Sequence, residues 1–384
     1  MLTEIRVVEC CQGVAGPLAG LRLAELGAEV IKVESGAGDW TRQLEPAVGP
    51  SGTSWLFHAL NRGKKSVLLD ELDSPGDFAA ALAGSADVLL YDSDDEERRG
   101  FPAALLSANP DLISVSLSAF GEDGPLAGLA GSELVVQAMA EYPRYLGRPH
   151  DPPLRVAAEI AGFATGTFAV HAVLAGLLTR AKGTSGEHAH VSMLRSLVAL
   201  ETAQIAGQHD PDEYKSIRLT GPADPPDRGW RARDRSLIVS FGLGAGPSGR
   251  TGWEDFLDEI GASHIAEDPR FDRSGRNTTG RGDLVDDARP LYDEVFAGLD
   301  ADQLGDSVVR HGGGYALFLD QAEVLEHPQT AAVGAVAEPE GPHDSAVLTF
   351  PARFSRTTPE VPRQSPGLGD HTAELASAAA PDQR

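Results

Sequence analysis

The chain has 384 residues, a hydrophobic fraction of 41%, and 57 acidic against 32 basic side chains, which gives a net charge of −25 at pH 7. Two domains are expected, because a chain of this length exceeds what one simple hydrophobic core supports. The acidity argues against nucleic acid or an anionic membrane as a partner for the whole surface. A polyanionic ligand would therefore need a local basic pocket.

The N-terminus and the cysteines indicate a cytoplasmic protein. Residues 1–4 lack the basic region and apolar stretch of a signal peptide. No apolar run approaches the roughly 18 residues of a membrane span, so no membrane partner is expected. Cys10 and Cys11 are adjacent and fit neither a disulfide framework nor a zinc site. We interpret them as small apolar residues at a strand end, with a catalytic thiol as the lesser alternative, and expect no metal.

Short apolar runs alternate with helical patterns over the first 120 residues. Pro17 and Gly27 suit the first turn and the end of an early helix. The alternation predicts an α/β fold, in which a parallel sheet is covered by helices on both faces. The predicted strands are 5–9, 29–34, 66–70, 87–91 and 112–117, and the predicted helices are 17–26, 75–84 and 101–108.

The rest of the chain divides at a loop rich in Pro, Asp and Gly, from about 208 to 229. Before it, helices are expected at 158–182 and 188–206. After it, amphipathic patterns at 253–260 and 284–299 predict a second domain with charged helices. The tail beyond residue 340 is rich in Pro, Thr and Ser and is expected to run extended over the surface.

A glycine-bearing turn follows the first strand, with Gly13, Gly16 and Gly20 around Pro17. Such a turn into a helix N-terminus can hold an anion on its backbone N–H groups, or can simply be a tight connection. Glu34 ends the second strand, where a dinucleotide fold places its ribose-binding acid. The glycine spacing is not G-x-G-x-x-G, so a nicotinamide cofactor is a weak hypothesis.

Basic side chains concentrate in the first 65 residues, which hold three of the five lysines. Arg offers a fork and Lys a point charge to a phosphate, so these residues suggest a phosphate cradle, with a solvated loop as the alternative. The candidate phosphate-binding residues are Arg42, Asn61, Arg62, Lys64 and Lys65.

Three glutamates form a candidate catalytic set: Glu133, Glu141 and Glu159. Glu159 stands among small apolar residues, where burying an ionised acid is costly. It is either an acid favoured by a helix N-terminus or a reactive group with a tuned pKa. A carboxylate of this kind can act as a covalent nucleophile on an acyl carbon. His188 and His190 are interpreted as structural or surface residues on a helix.

Ordered motifs then run along nearly the whole chain. Residues 15–34 read AGPLAGLRLAELGAEVIKVE, followed by GDWTR at 38–42, NRGKKS at 61–66 and FGEDGP at 120–125. Further stretches with the same order occur at 183–192, 268–271, 323–329 and 368–374. Together they resemble the family III CoA-transferases, the group that includes formyl-CoA transferase, carnitine CoA-transferase and the 2-methylacyl-CoA racemases.

The resemblance implies a Rossmann-like large domain that binds CoA, over residues 1–210 and completed by 335–384, and a smaller α+β domain over 225–330. It also implies an interlocked homodimer, coenzyme A as co-substrate, and an acyl-CoA and a small carboxylic acid as the molecules bound. The family pattern G-x-x-x-[AG]-D-x-x-[AG]-G carries the catalytic aspartate, and Glu159 is matched to it. CoA would pass through a glutamyl-CoA thioester on Glu159, with Gly13, Val14 and Ala15 on the loop near the thioester. Backbone N–H groups of Val14 and Ala15 would hold the oxyanion.

Three departures from the family pattern keep alternatives open. Glu159 replaces aspartate, the acidic run 92–97 would repel CoA phosphates, and Ser132-Glu133 stands where the racemases have a His–Asp pair. Proton transfer on two faces needs two bases, so a two-base racemase is poorly supported. One alternative is a non-catalytic partner subunit of an active relative. The other is an isomerase or lyase that uses Glu159 as a base.

Overall fold

A computed structural model describes residues 1–45, 47–48, 53–94, 100–140, 152, 154–184, 186–207, 229–241, 250–268, 282–337 and 346–379. The chain divides into two compact units. The first consists of Met1–Tyr142, Val156–Leu200 and His327–Arg384, and the second of Pro143–Arg155 and Glu201–Glu326. Glu141 and the acids at 95–97 lie outside the described residues.

The described strands are β1 (Arg6–Cys10), β2 (Glu29–Glu34), β3 (Ala47–Val48), β4 (Thr53–Ser54), β5 (Lys65–Leu68), β6 (Val88–Asp92), β7 (Ile113–Ser118), β8 (His188–Ser192), β9 (Trp230–Arg231), β10 (Ser236–Ser240), β11 (Gly314–Leu317), β12 (Val336–Ala337) and β13 (Val347–Leu348). The described α-helices are α1 (Ala15–Glu25), α2 (Trp55–Asn61), α3 (Pro75–Ala83), α4 (Gly100–Ala108), α5 (Glu133–Met139), α6 (Ile160–Ala181), α7 (Met193–Leu200), α8 (Thr202–Gly207), α9 (Gly252–Glu259), α10 (Ser263–Glu267), α11 (Gly282–Phe296), α12 (Ala301–Arg310), α13 (Gln321–Glu326), α14 (Pro328–Ala332) and α15 (Thr372–Ala379).

The first unit is built on a six-stranded sheet in the order β5-β2-β1-β6-β7-β8, and every pair in it is parallel. The predicted α/β class is confirmed, since each of the five predicted strands lies within two residues of an observed one. Successive residues of β1 face opposite sides, so Val7 joins one core cluster and Val8 the other. Both faces of the sheet are therefore buried, as apolar parallel strands require.

Helices supply the other half of each core. On one face, Ala19 of α1 and Val170 of α6 pack in the cluster that contains Val7. On the other, Phe78 of α3 and Leu105 of α4 pack around Val8, together with Leu375 of α15 from the end of the chain. The C-terminal segment is thus part of this core.

The prediction of one helix over 188–206 was wrong. Residues 188–192 form β8, the sixth strand of the sheet, and two shorter helices, α7 and α8, follow it. His188 and His190 lie on this strand, where their rings hydrogen-bond Ser114 and Ser116 of β7 at 2.9 and 2.8 Å. The strand carries histidines in place of β-branched apolar residues, so its apolar pattern was too weak to indicate a strand.

Helix α6 bears on the expectation that no apolar run is long enough to cross a membrane. This helix has 22 residues and an 18-residue window of mean hydropathy 1.6, which passes that test by length and composition alone. It nevertheless packs on α1 and β7 within the first unit, and Ala161, Thr165 and Val173 are among its buried residues. A core helix with this composition needs no membrane to explain it.

The second unit has its own core. Its strands β11, β10 and β9 form an antiparallel sheet, and α9, α11 and α12 contribute to one cluster with it. Trp230 and Tyr292 stand at the centre, with ring centroids 4.4 Å apart. The Tyr292 hydroxyl accepts the indole N–H of Trp253 at 2.8 Å, which satisfies both buried polar groups.

Candidate active site

A cavity of about 950 Å³ opens at the carboxyl ends of β1, β6 and β7 in the first unit. Parallel sheets bind ligands at this edge, because the loops that follow the strands converge there. The cavity is lined by the loop after β1 and by parts of α5 and α6. It therefore brings together four of the predicted site residues, namely Gly13, Val14, Ala15 and Glu159.

The loop after β1 is held in a fixed shape. Gly13 has a φ of 75°, which favours glycine, and a Cβ there would lie 3.1 Å from the Trp40 ring. Its N–H donates to Asp39 Oδ1 at 3.2 Å. Val14 is the N-cap of α1 and Ala15 is its first residue, so their N–H groups precede the intrahelical bonds. Their role as oxyanion donors stays a prediction.

Glu159 is the N-cap residue of α6, with φ −79° and ψ 57°, and its side chain is half-buried against the cavity. Its carboxylate makes no capping hydrogen bond to the helix that it precedes. Glu159 thus lines the same cavity as the loop after β1. The covalent role that was predicted for it stays a prediction.

A second carboxylate, Glu133 at the start of α5, caps α6 instead. Glu133 Oε1 accepts the Ala161 N–H at 2.7 Å and the Gln137 Nε2–H at 2.7 Å, while Oε2 accepts the Gly162 N–H at 2.9 Å. Gln137 Nε2 also donates to Ala158 O at 3.1 Å. Glu133 lines the same cavity as Glu159. Glu133 is a candidate in the sequence, but its separation of 28 positions from Ala161 concealed this contact.

Two glycines of α6 show which register of the family pattern the structure supports. A Cβ at Gly166 would lie 2.5 Å from Ala15 O, so only glycine fits where α6 crosses α1. The last glycine of the pattern stands four residues after the acid. Counted back from Gly166, the acid position is Gly162. Counted forward from Glu159, the glycine position is occupied by Phe163. The match of Glu159 to the acid therefore holds by residue type but not by this spacing.

The predicted phosphate-binding residue Lys64 lies in a buried ion network beneath the loop. Its Nζ donates to Glu9 Oε2 at 2.7 Å, to Pro17 O at 2.8 Å and to Asn61 Oδ1 at 2.9 Å. Burial lowers the pKa of Lys64 to about 8, against the raising effect of Glu9. All three ammonium donors are used within the fold. The predicted phosphate role of Lys64 and Asn61 stays a prediction.

Lys32 completes the same network. Its Nζ contacts Glu9 Oε1 and Asp39 Oδ2, both at 2.9 Å, and donates to Cys11 O at 2.8 Å. Burial by itself would lower the pKa of Lys32, but Asp39 and Glu9 outweigh it and hold that pKa above its ordinary value. The network ties the end of β1 to β2 and so supports the loop that lines the cavity.

The remaining predicted cations are engaged within the chain. Arg42 forms a two-pronged pair with Glu34, at 2.8 Å from Nε and 2.7 Å from Nη2, so Glu34 is not placed as a ribose-binding acid. Arg62 is buried 3.6 Å from Glu25. Lys65 is partly exposed and contacts Glu29 and Glu374, each at 3.0 Å. None of Arg42, Asn61, Arg62, Lys64 and Lys65 is among the described residues that line the cavity. Their role in binding phosphate stays a prediction.

Two aspartates at the end of β6 and just beyond it also face the cavity. Asp92 accepts the Gln12 N–H at 2.8 Å, and Asp94 accepts the Ala119 N–H at 2.7 Å. Burial raises the pKa of Asp92 to about 7, and the hydrogen bond from Gln12 only partly offsets this. The sequence indicated an acidic loop here. The structure assigns these two acids to the shape of the cavity wall, through backbone contacts. Among the described residues, no group of three or more His, Cys, Asp or Glu could hold a metal ion.

The chain is similar to known proteins over nearly its whole length. The sequence model described as CoA-transferase family III matches residues 2–372. The chain is 30% identical to a succinate–glutarate CoA-transferase of Agrobacterium fabrum, over 97% of this chain and 94% of that protein. It is 31% identical to an acetyl-CoA:oxalate CoA-transferase of Acetobacter aceti, over 85% of this chain and 82% of that protein. The crystal structure of a CAIB/BAIF family protein from Brucella suis superposes with a TM-score of 0.83 at 26% identity, covering 98% of each chain.

Proposed function

The chain belongs to CoA-transferase family III, and from that membership we propose that the cavity of the first unit transfers coenzyme A from an acyl-CoA thioester to a carboxylic acid. The proposed intermediate is a glutamyl-CoA thioester. One observation carries the proposal: a cavity of about 950 Å³ at the carboxyl edge of the sheet holds two glutamates, Glu159 and Glu133, beside the loop after β1. The resemblance to the family pattern assigns the thioester to Glu159.

The chemistry needs a carboxylate that can attack an acyl carbon and later be released from it. A glutamate attacks the thioester carbonyl of the donor, and CoA leaves as a thiolate. The thiolate then attacks the resulting anhydride at the glutamate carbon, releasing the donor acid and forming the glutamyl-CoA thioester. The acceptor acid reverses both steps. Backbone N–H groups of Val14 and Ala15 are proposed to hold negative charge on the substrate carbonyl.

From the relatives we propose only the class of the donor and acceptor acids, which is small carboxylic acids. The named relatives act on succinate and glutarate, or on acetyl-CoA and oxalate. Glu133, Asp92 and Asp94 line the cavity here, and described Lys, Arg and His side chains are absent from its lining. The acceptor panel should therefore include monocarboxylic acids alongside the dicarboxylates of the relatives.

The test is intact-protein mass spectrometry after mixing the purified chain with a panel of acyl-CoAs. A covalent CoA adduct that hydroxylamine removes is expected with at least one donor, and transfer to an added acid should follow. If no donor gives an adduct, and calorimetry detects no CoA binding, the transferase proposal fails. A non-catalytic partner subunit would then take its place.

A further inference from the structure

We infer that Glu133, rather than Glu159, is the carboxylate that carries coenzyme A in this chain. The inference rests on the proposed function, because it assigns the residue that forms the covalent intermediate. It is supported by where the Glu133 carboxylate stands, by the donors that surround it, and by how those donors fit each bond-forming step.

The first support is position. Glu133 is half-buried and lines the cavity, so its carboxylate is held by the fold while a face of it remains open to a ligand. Glu133 Oε2 lies 3.5 Å from the point where a Cβ at Gly162 would stand. The crossing with α1 requires a glycine at Gly166. If Gly166 is the last glycine of the family pattern, the acid of that pattern falls four residues earlier, at Gly162. A carboxylate from α5 thus occupies the space beside the position where α6 has no side chain.

The second support is the arrangement of donors. Glu133 Oε1 accepts two hydrogen bonds of 2.7 Å, one from the Ala161 N–H and one from Gln137 Nε2. Donors at about 2.7–3.1 Å from a developing oxyanion form an oxyanion hole. When a nucleophile attacks Cδ of a thioester on Glu133, negative charge develops on the oxygen that stays bonded to Cδ. If that oxygen is Oε1, the hole is already assembled, and no donor has to move.

The other oxygen is suited to react. Glu133 Oε2 accepts one described hydrogen bond, from the Gly162 N–H at 2.9 Å, and a carboxylate oxygen has two lone-pair sites. One site therefore remains for attack on an acyl carbon. Glu159, in contrast, makes no capping hydrogen bond to the N–H groups of α6.

The bonds balance as follows. Glu133 Oε2 bonds to the donor acyl carbon, the C–S bond breaks, and CoA departs as a thiolate. The thiolate bonds to Glu133 Cδ, and the Cδ–Oε2 bond breaks, so the donor acid leaves with that oxygen. An acceptor carboxylate oxygen then bonds to Cδ and expels the thiolate. The thiolate attacks the acceptor carbonyl and leaves Glu133 with one oxygen from the acceptor acid. Oε1 stays on Cδ throughout, and no oxidant or other co-reactant is needed.

Gln137 becomes a positioning residue as well as a donor. Its side chain is fully buried, and Nε2 is shared between Glu133 Oε1 and Ala158 O. Both of these partners are acceptors, which fixes the orientation of the amide. One turn of α5 therefore places both the carboxylate and a donor for its oxyanion at the first turn of α6.

The deciding experiment maps the adduct. Trypsin separates the two glutamates, because Arg99, Arg144, Arg155 and Arg180 place Glu133 in peptide 100–144 and Glu159 in peptide 156–180. The full chain is loaded with the acyl-CoA that gives an adduct and is then treated with hydroxylamine, which converts a glutamyl thioester to a hydroxamate. Fragmentation should place the hydroxamate on Glu133. A hydroxamate on Glu159 would overturn the inference while leaving the proposed function intact. If neither glutamate is labelled and no acid accepts CoA, both fail.

Isotope and variant measurements add independent outcomes. Turnover with an ¹⁸O-labelled acceptor acid should leave label in peptide 100–144, and an unlabelled peptide after many turnovers would contradict the inference. Glu133→Gln should abolish the adduct, whereas Glu4→Gln, the same change at an exposed glutamate, should not. Gln137→Met should lower kcat by about 100-fold or more, as loss of one oxyanion donor does, with KM for the acyl-CoA within about threefold. A fall in kcat matched by an equal rise in KM, or a loss of folded protein alone, would indicate a structural role for Gln137.

Discussion

At the scale of single residues, the buried ion network shows how neighbours decide what a charged side chain does. Lys32 and Lys64 share Glu9, whose two oxygens accept from them at 2.9 and 2.7 Å. Both ammonium groups are fully buried at their side chains, as is Glu9. A lysine in this setting compensates a buried carboxylate and fixes the backbone carbonyls of Cys11 and Pro17. The network thereby supports the loop that lines the cavity.

The network can be tested by removing one charge from it. Lys32→Met should destabilise the fold by about 3–5 kcal/mol, because Asp39 would be left buried without this cation and Glu9 would keep only Lys64. Lys65→Met is the matched control, since Lys65 is partly exposed and its ion pairs are worth at most about 1 kcal/mol. Urea denaturation of both variants measures the difference. Equal small losses would show that the network does not hold the sheet edge.

At the scale of elements, the crossing of α1 and α6 sets the geometry of the cavity. Gly162 faces Val14, where a Cβ would lie 2.8 Å from Val14 Cγ1, and Gly166 faces the carbonyl of Ala15. The two helices therefore approach through glycines, which brings the first turn of α6 close to the loop after β1. The same approach places the carboxylate of Glu133, at the start of α5, against the N–H groups of Ala161 and Gly162.

A methyl group at the crossing should separate these helices. Gly166→Ala would place its Cβ 2.5 Å from a backbone oxygen that cannot rotate away, so a loss of about 1–3 kcal/mol is expected from overpacking. CoA transfer should also fall, since the cavity wall would shift. Gly76→Ala in α3 is the control, because nothing lies within 4 Å of a Cβ there, and its stability should be unchanged or slightly higher. Thermal unfolding of both variants measures the difference. If Gly166→Ala were as stable as the unchanged chain, the close packing of α1 and α6 would not be confirmed.

At the scale of the whole molecule, the exposed side chains of α6 and α7 bear on assembly. Leu174 and Leu178 of α6 are 38% and 59% exposed, and Val198 and Leu200 of α7 are 39% and 52% exposed. Large exposed apolar patches are typical of protein–protein interaction sites. They support the proposal, which rests on the family resemblance, that two copies of the chain associate as an interlocked homodimer.

Light scattering after gel filtration tests that proposal. The native mass should be twice the 40.4 kDa of one chain. Leu178→Glu should lower the fraction of dimer or the soluble yield, because an interlocked chain has no separate stable monomer. Val309→Glu, at a position that is 57% exposed in the second unit, is the control. A wild-type mass of one chain at all concentrations would exclude the homodimer.

The sequence by itself determined the α/β class, five of the six strands of the large sheet, and the family. These follow from short-range signals: apolar runs of strand length, proline and glycine at helix ends, and an ordered series of motifs along residues 2–372. It also indicated Gly13, Val14, Ala15 and Glu159, which the cavity brings together.

Only the tertiary structure decided which charges face the cavity and which are consumed inside the fold. Lys64 and Arg42 look alike in sequence as free cations, yet each meets a carboxylate from another strand, Glu9 of β1 and Glu34 of β2. Glu133 meets the N-terminus of α6 across 28 residues of chain. The local sequence pattern indicates which helix or strand a segment can form. The partner of a side chain depends on how those elements cross, and residues distant in the chain determine that crossing together.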